Sequence, residues 1–280
     1  MQKRVLTIQD ISCVGRCSLT VALPIISAAG IETSVLPTAI LSTHTGGFEG
    51  YTFRDLTDDI EPIAQHWASL GLRVDAFYTG YLGSFEQLRL VGELIDLLGS
   101  DDSLFVADPA MADNGQLYPA FDRDFAFGMR DLCARADLVV PNLTEATLML
   151  DEPYVASGYD EAYIEGLLAR LTALGPRQAV LTGVSFEEGR LGAASFDTAE
   201  GRVRYHFRDL VEGYYHGTGD VVASALVAAV VSGKDLAQAT ALAVDFTVEC
   251  LERSRDAGTE RRYGVDFENG LADFARAVKG

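Results

Sequence analysis

Short apolar runs of strand length alternate with helix-length segments along most of this chain, and that alternation leaves few folds open. Residues 4–8 read as a strand. A polar turn over 9–16 then leads to a helix with Leu19, Val21, Leu23, Ile25 and Ile26, closed by Gly30. Further strands are predicted within 32–40 and at 75–80, 104–107, 138–140 and 178–181, with helices over 56–70, 84–98 and 161–174. The runs 191–196 and 203–207 have no helix between them, which predicts a hairpin at one sheet edge. Two helices, 220–232 and 236–252, follow. No repeat or Pro/Ser-rich linker divides the chain, so the expectation is one α/β domain over residues 1–280, with a mainly parallel sheet and helices on both faces.

Charge narrows the partners. The chain carries 22 basic and 41 acidic residues for a net charge of −19, which opposes binding to nucleic acid or an anionic membrane. A bound nucleotide would need local compensation from metal ions, backbone N–H groups or placed cations. The N-terminal stretch turns polar at Gln9 and Asp10, too soon for a leader's apolar core, and no apolar run reaches transmembrane length, so a cytoplasmic location is expected. Cys13, Cys17, Cys133 and Cys250 lack paired zinc spacing and read as reduced thiols.

In parallel α/β sheets ligands bind where loops converge at the C-terminal strand ends, and the unusual polar residues of this chain fall there. Asp10 follows the first strand, His44 and Thr45 lie in a glycine-rich loop after the second, and Tyr81 follows the third. Asp108 follows the next, then Asn142 and Glu145, then Thr182. Gly217, Thr218, Gly219 and Asp220 open a helix on the same side. Two glycines let the backbone approach a bound group, and the helix start aims free N–H groups and the positive end of its dipole at that place, which makes an anion site. Asp220 is either an N-cap or a base beside the anion. Asn142 and Glu145, three apart at a helix start, form either a capping box or part of a Mg²⁺ site. Asp108 could be a turn residue, Tyr81 a half-buried aromatic and His44 a solvated loop histidine; their co-location favours a site.

The segments Gly80-Tyr81-Leu82-Gly83, Asp108-Pro109-Ala110-Met111, Pro141-Asn142-Leu143-Thr144-Glu145 and Gly217-Thr218-Gly219-Asp220 resemble the signatures of pyridoxal/pyridoxamine kinases, in the ribokinase-like superfamily. Ser42-Thr43-His44-Thr45 matches the vitamin B6 branch in place and order. The resemblance implies a ribokinase-like fold and ATP-dependent phosphorylation of the 5′-hydroxymethyl group of pyridoxal, pyridoxamine or pyridoxine. It implies Asp220 as the base, with the backbone of Gly217, Thr218 and Gly219 holding the transferring phosphoryl group. Asn142, Glu145 and Asp108 would organise Mg²⁺, largely through water. Asp108, Asn142, Thr182 and Thr218 would bind the nucleotide, and Asp10, His44, Thr45 and Tyr81 the vitamer. The loops around His44 and over 113–118 would close over the site, and a homodimer is implied.

Three positions depart from the family pattern. Asp10 stands where many members have serine, and a carboxylate there would favour pyridoxamine. Ala112 replaces a frequent glycine. Val140 stands where some members offer a threonine to a monovalent cation, which counts against potassium activation; a monovalent cation stays only a further candidate ligand. The rival readings are a hydroxymethylpyrimidine or sugar kinase of the same superfamily, or a non-catalytic vitamer- or nucleotide-binding protein. A nicotinamide dehydrogenase is disfavoured because no Gly-x-Gly-x-x-Gly turn follows the first strand.

Overall fold

The computed structural model describes residues 2–280; Met1, the first residue of the stretch read for a leader, lies outside them. The chain opens with β1 (Arg4–Ser12), α1 (Leu19–Ala28), β2 (Glu32–Leu41), β3 (Phe53–Asp55), α2 (Thr57–Ser69), β4 (Ala76–Thr79), α3 (Phe85–Leu98) and β5 (Leu104–Ala107). A small hairpin, β6 (Ala112–Asp113) and β7 (Gln116–Leu117), precedes α4 (Arg123–Cys133), β8 (Leu138–Val139), α5 (Leu143–Met149) and α6 (Glu161–Ala173). The chain closes with β9 (Gln178–Val184), β10 (Arg190–Asp197), β11 (Arg202–Asp209), α7 (Thr218–Val231), α8 (Leu236–Asp256) and α9 (Leu271–Lys279).

The main sheet runs β11-β10-β9-β8-β5-β4-β1-β2-β3. Strands β9 through β2 in that order pair in parallel. The expected hairpin β10–β11 is antiparallel at one edge, and β3 is antiparallel at the other. Alternate residues of the central strands feed two cores. Leu6, Ile8 and Phe77 pack toward α2 to α6, and Val5, Ala76, Tyr78 and Val106 toward α1, α7, α8 and α9. Burial on both faces explains the near-continuous apolar runs of these strands.

The chain goes from β1 outward to β2, then returns to place β4 on the other side of β1. The resulting crevice between the C-terminal ends of β1 and β4 is where open α/β sheets bind ligands.

Three of the shifted boundaries bear on the site. β1 continues to Ser12, with Ile11 and Ser12 paired to Ile40 and Leu41 across a bulge, so Asp10 lies within the strand and not in a turn after it. β9 likewise includes Thr182 and runs on to Val184. α7 begins at Thr218, with Gly217 as its N-cap, because the left-handed conformation of Gly217 (φ 76°) turns the chain into the helix before Asp220 is reached. Among the described residues, no helix is long and apolar enough to cross a membrane.

Candidate active site

Gly217 fixes the floor of the site. A Cβ there would lie 1.9 Å from the Arg16 carbonyl oxygen, so only glycine allows this approach. No side chain caps α7, and its first intrahelical bond runs from Val221 N–H to Gly217 C=O at 3.1 Å. The N–H groups of Thr218, Gly219 and Asp220 therefore have no partner within the helix. The Thr218 hydroxyl donates to the Tyr215 carbonyl at 2.6 Å, which pins the turn and leaves its N–H to face outward. A Cβ on Gly219 would meet nothing within 4 Å, so this stretch is open to a ligand.

Asp220 sits inside the first turn and is not the cap. Desolvation raises its pKa to about 7; the Ser18 N–H opposes the rise and the nearby charge of Asp10 adds to it. Asp10 is buried, 5% exposed, and accepts a hydrogen bond from the Ser12 hydroxyl at 3.1 Å. Burial raises its pKa too, against the hydroxyls of Ser18 and Ser12. The Cys17 thiol, half-buried beside both carboxylates, is held protonated by desolvation and then by their charges.

Tyr81 follows β4 and tilts 35° to the Phe121 ring at 5.5 Å. Burial pushes its phenol up to about 12, with Asp10, Tyr51 and Asp55 adding to the rise, which places it on the Asp10 side of the crevice. His44 is buried, contrary to a solvated loop residue. Its Nδ1 accepts from Gly46 N–H at 3.2 Å, so Nε2 carries the proton and donates to the Arg262 carbonyl at 2.6 Å. Burial lowers its pKa, so the ring is neutral and ties its loop to the segment before α9. Thr45 is exposed and lines a surface groove with Gly47, Phe48, Glu49 and Arg262; no described hydrogen bond joins it to Asp10 or Tyr81. The β6–β7 hairpin is latched toward the anion site, with the Tyr214 hydroxyl donating to Asp113 at 3.1 Å.

A second group of carboxylates lies at the ends of β5 and β8. Asn142 and Glu145 form the capping box. The Asn142 Oδ1 accepts from Glu145 N–H, and Glu145 Oε2 accepts from Asn142 N–H, both at 2.9 Å. Asn142 Nδ2 donates to the Ala112 carbonyl at 2.8 Å, and Glu145 Oε1 accepts from Met111 N–H at 3.2 Å. With both amide ends engaged, Asn142 orders the turn after Asp108. Thr182 joins this edge through a bridge to Asn142, its N–H on the Pro141 carbonyl at 2.9 Å.

Glu145 is pushed up to about 8 by burial, against the N–H groups of Asn142, Met111 and Ala112. Asp108 is raised by burial, then by Glu145 and Asp220, and no described hydrogen bond engages its carboxylate. Mutually repelling carboxylates, one of them without a hydrogen-bond partner, fit a hard cation that retains much of its water. Among the described residues, no three or more His, Cys, Asp or Glu side chains gather as a metal cage.

Beneath Asp220 lies a polar layer absent from the sequence expectations. The Tyr78 hydroxyl, Gln9 Oε1 and Ser224 Oγ are buried without hydrogen-bond partners among the described residues. Ser224 is one turn beyond Asp220, and Gln9 directly precedes Asp10. Cys17 and Ser18 were also missed beside the carboxylates, because turn residues give no periodic signal for what tertiary contacts bring beside them.

The fold and the anion-binding turn beside a carboxylate define a phosphotransferase of the ribokinase-like class. The phosphomethylpyrimidine kinase family matches residues 24–264, and the chain belongs to that family, on its pyridoxal kinase side. A Bacteroides thetaiotaomicron protein provisionally named a phosphomethylpyrimidine kinase, and crystallised with pyridoxal, is 34% identical. The match covers 98% of this chain and 96% of that one, with a TM-score of 0.93. The pyridoxal kinase of Lactobacillus plantarum is 32% identical over 99% of this chain and 98% of its own, with a TM-score of 0.90. A pyridoxine/pyridoxal/pyridoxamine kinase of Bordetella avium is 26% identical over 90% of this chain and 85% of its own.

The carboxylate pair gives a test by metal addition. Carboxyl groups raised on folding are harmless to stability below their unfolded pKa, and they cost stability as pH rises through their folded values. At pH 8 without divalent ions, Asp108→Asn should raise Tm by several degrees and shrink the rise that Mg²⁺ produces in the wild type. A lower Tm in the variant, with a wild type indifferent to Mg²⁺, would contradict this account of the pair.

Proposed function

We propose that this chain transfers the γ-phosphoryl group of ATP to the 5′-hydroxymethyl group of pyridoxal, pyridoxamine or pyridoxine. One observation carries the proposal: a carboxylate poised near neutrality, Asp220, shares a helical turn with the outward N–H groups of Thr218, Gly219 and Asp220. Phosphoryl transfer needs little more than alignment, charge neutralisation and a base for the acceptor proton. Asp220 takes the proton from the hydroxyl, and the three N–H groups hold the charge on the transferring group. A Mg²⁺ ion bound by Asp108, with Glu145 acting through water, would neutralise charge on the nucleotide phosphates. Thr182 and the Thr218 N–H border the nucleotide side.

On the acceptor side, the Tyr81 ring offers a flat partner to a pyridine, and Asp10 a carboxylate to its substituents. Thr45 joins them only if its loop moves inward, with the His44 hinge and the Asp113 latch closing the site against water. The relatives named for pyridoxal kinase activity, and the one crystallised with pyridoxal, support the B6 acceptor. The family name supports hydroxymethylpyrimidine as the second reading, since it too is a flat aromatic alcohol. We further propose a cytoplasmic homodimer, which sedimentation should read as twice 30.2 kDa; a monomer throughout would contradict that.

ADP release with Mg-ATP over a panel of B6 vitamers, hydroxymethylpyrimidine and ribose tests the reaction. Asp220→Asn should lower kcat by about 10²–10⁴-fold while the vitamer still binds. Because the base must be ionised, wild-type kcat/KM should rise with pH through about 7 and then level, and the variant should lose that limb. Wild-type turnover in the variant would return Asp220 to a structural role. Asp10→Ser should lower the kcat/KM ratio of pyridoxamine over pyridoxal; an unchanged or higher ratio would remove Asp10 from selectivity.

A further inference from the structure

Ser18 stands at the N-cap of α1, where serine ordinarily turns its hydroxyl back on a first-turn N–H. Here no such bond forms, and the backbone adopts φ 54°, ψ −129°. That region belongs to glycine, and a side chain held there is strained, persisting only where the surroundings over-determine it. The other described non-glycine residues at positive φ, Asn114 and Asp151, are exposed and of types that tolerate it. Ser18 is neither: it is 7% exposed and buried in the site.

The conformation has a visible result. Ser18 forms an isolated antiparallel bridge to Ile11, the neighbour of Asp10. Its carbonyl still receives the N–H groups of Val21 and Ala22 at 3.0 and 2.9 Å, so α1 starts without help from the side chain. The freed hydroxyl faces the Asp10 carboxylate, and the N–H faces that of Asp220. A relaxed capping serine would turn its hydroxyl back on its own helix.

We infer that Ser18 is a positioning residue that clamps the acceptor-side carboxylate Asp10 with its hydroxyl and the base Asp220 with its N–H, holding two like charges at fixed places. The assignment rests on the kinase reading only in taking those carboxylates to face the acceptor and its proton. The strained backbone and the missing cap are the structural trace of that role: local preference is overridden where β1 and α7 must be joined.

Ser18→Gly is the informative variant, because glycine is unstrained at this φ and ψ, keeps the N–H and removes the hydroxymethyl side chain. Carboxyl ¹³C titration by NMR should find Asp10 titrating about one unit higher in the variant, with Asp220 little moved. In turnover, KM for the vitamer should rise about tenfold, the worth of one hydrogen bond to a charged group, while KM for ATP stays the same. In an Asp10→Asn background the same substitution should change the vitamer KM by less than about twofold. An unmoved Asp10 titration, or an equal effect in that background, would overturn the clamp. Absence of wild-type turnover on every B6 vitamer would instead overturn the kinase reading, and the titration would still decide the role of Ser18.

Discussion

The contact on which this site depends is the approach of Gly217 to the Arg16 carbonyl, closer than any side chain permits. That approach sets the start of α7, and from it follow the direction of three free N–H groups and the place of Asp220. The same packing brings the loop after β1 against the helix, so that Cys17 and Ser18 lie beside Asp220. The carboxylate proposed for acceptor recognition on β1 and the turn proposed for phosphoryl recognition on α7 are thus joined by backbone, which holds geometry more firmly than long side chains do.

The second constraint is charge. A chain of net charge −19 buries Asp10, Asp108 and Glu145 near the half-buried Asp220, and their mutual repulsion disfavours the ionised folded state. Few cations lie among them, and the compensation present is backbone: N–H groups of Asn142, Met111 and Ala112 on Glu145, and of Ser18 on Asp220. An acidic site of this kind favours a metal-bound polyphosphate, which brings positive charge with it. Stability is given up where the proposed chemistry calls for a base and a cation site.

Much of this was legible in the sequence, for reasons that particular segments make plain. Apolar runs such as 104–107 gave the parallel strands, and the absence of a helix between 191–196 and 203–207 gave the edge hairpin. Glycines at 217 and 219 before an apolar helix marked the turn that is proposed as the anion site. β1 was cut short because Gln9, Asp10 and Ser12 look like turn residues, whereas the strand runs on beside β2 as far as Ser12 and all three are buried. α4 went unread although Asp122 caps it, accepting from Phe125 N–H at 2.9 Å, and Phe125, Met129 and Leu132 mark its buried face. Ser18 carried no local signal, since its conformation is imposed by Ile11, Asp10 and Asp220, far from it in helical or strand periodicity.

The most direct test is a crystal structure of the chain with Mg²⁺, ADP, a planar fluoroaluminate and pyridoxal. The account predicts the fluoroaluminate within hydrogen-bond reach of the Thr218, Gly219 and Asp220 N–H groups, with the Asp220 carboxylate on the 5′-hydroxyl. A phosphoryl mimic bound away from that turn, or an Asp220 side chain directed away from the hydroxyl, would contradict it.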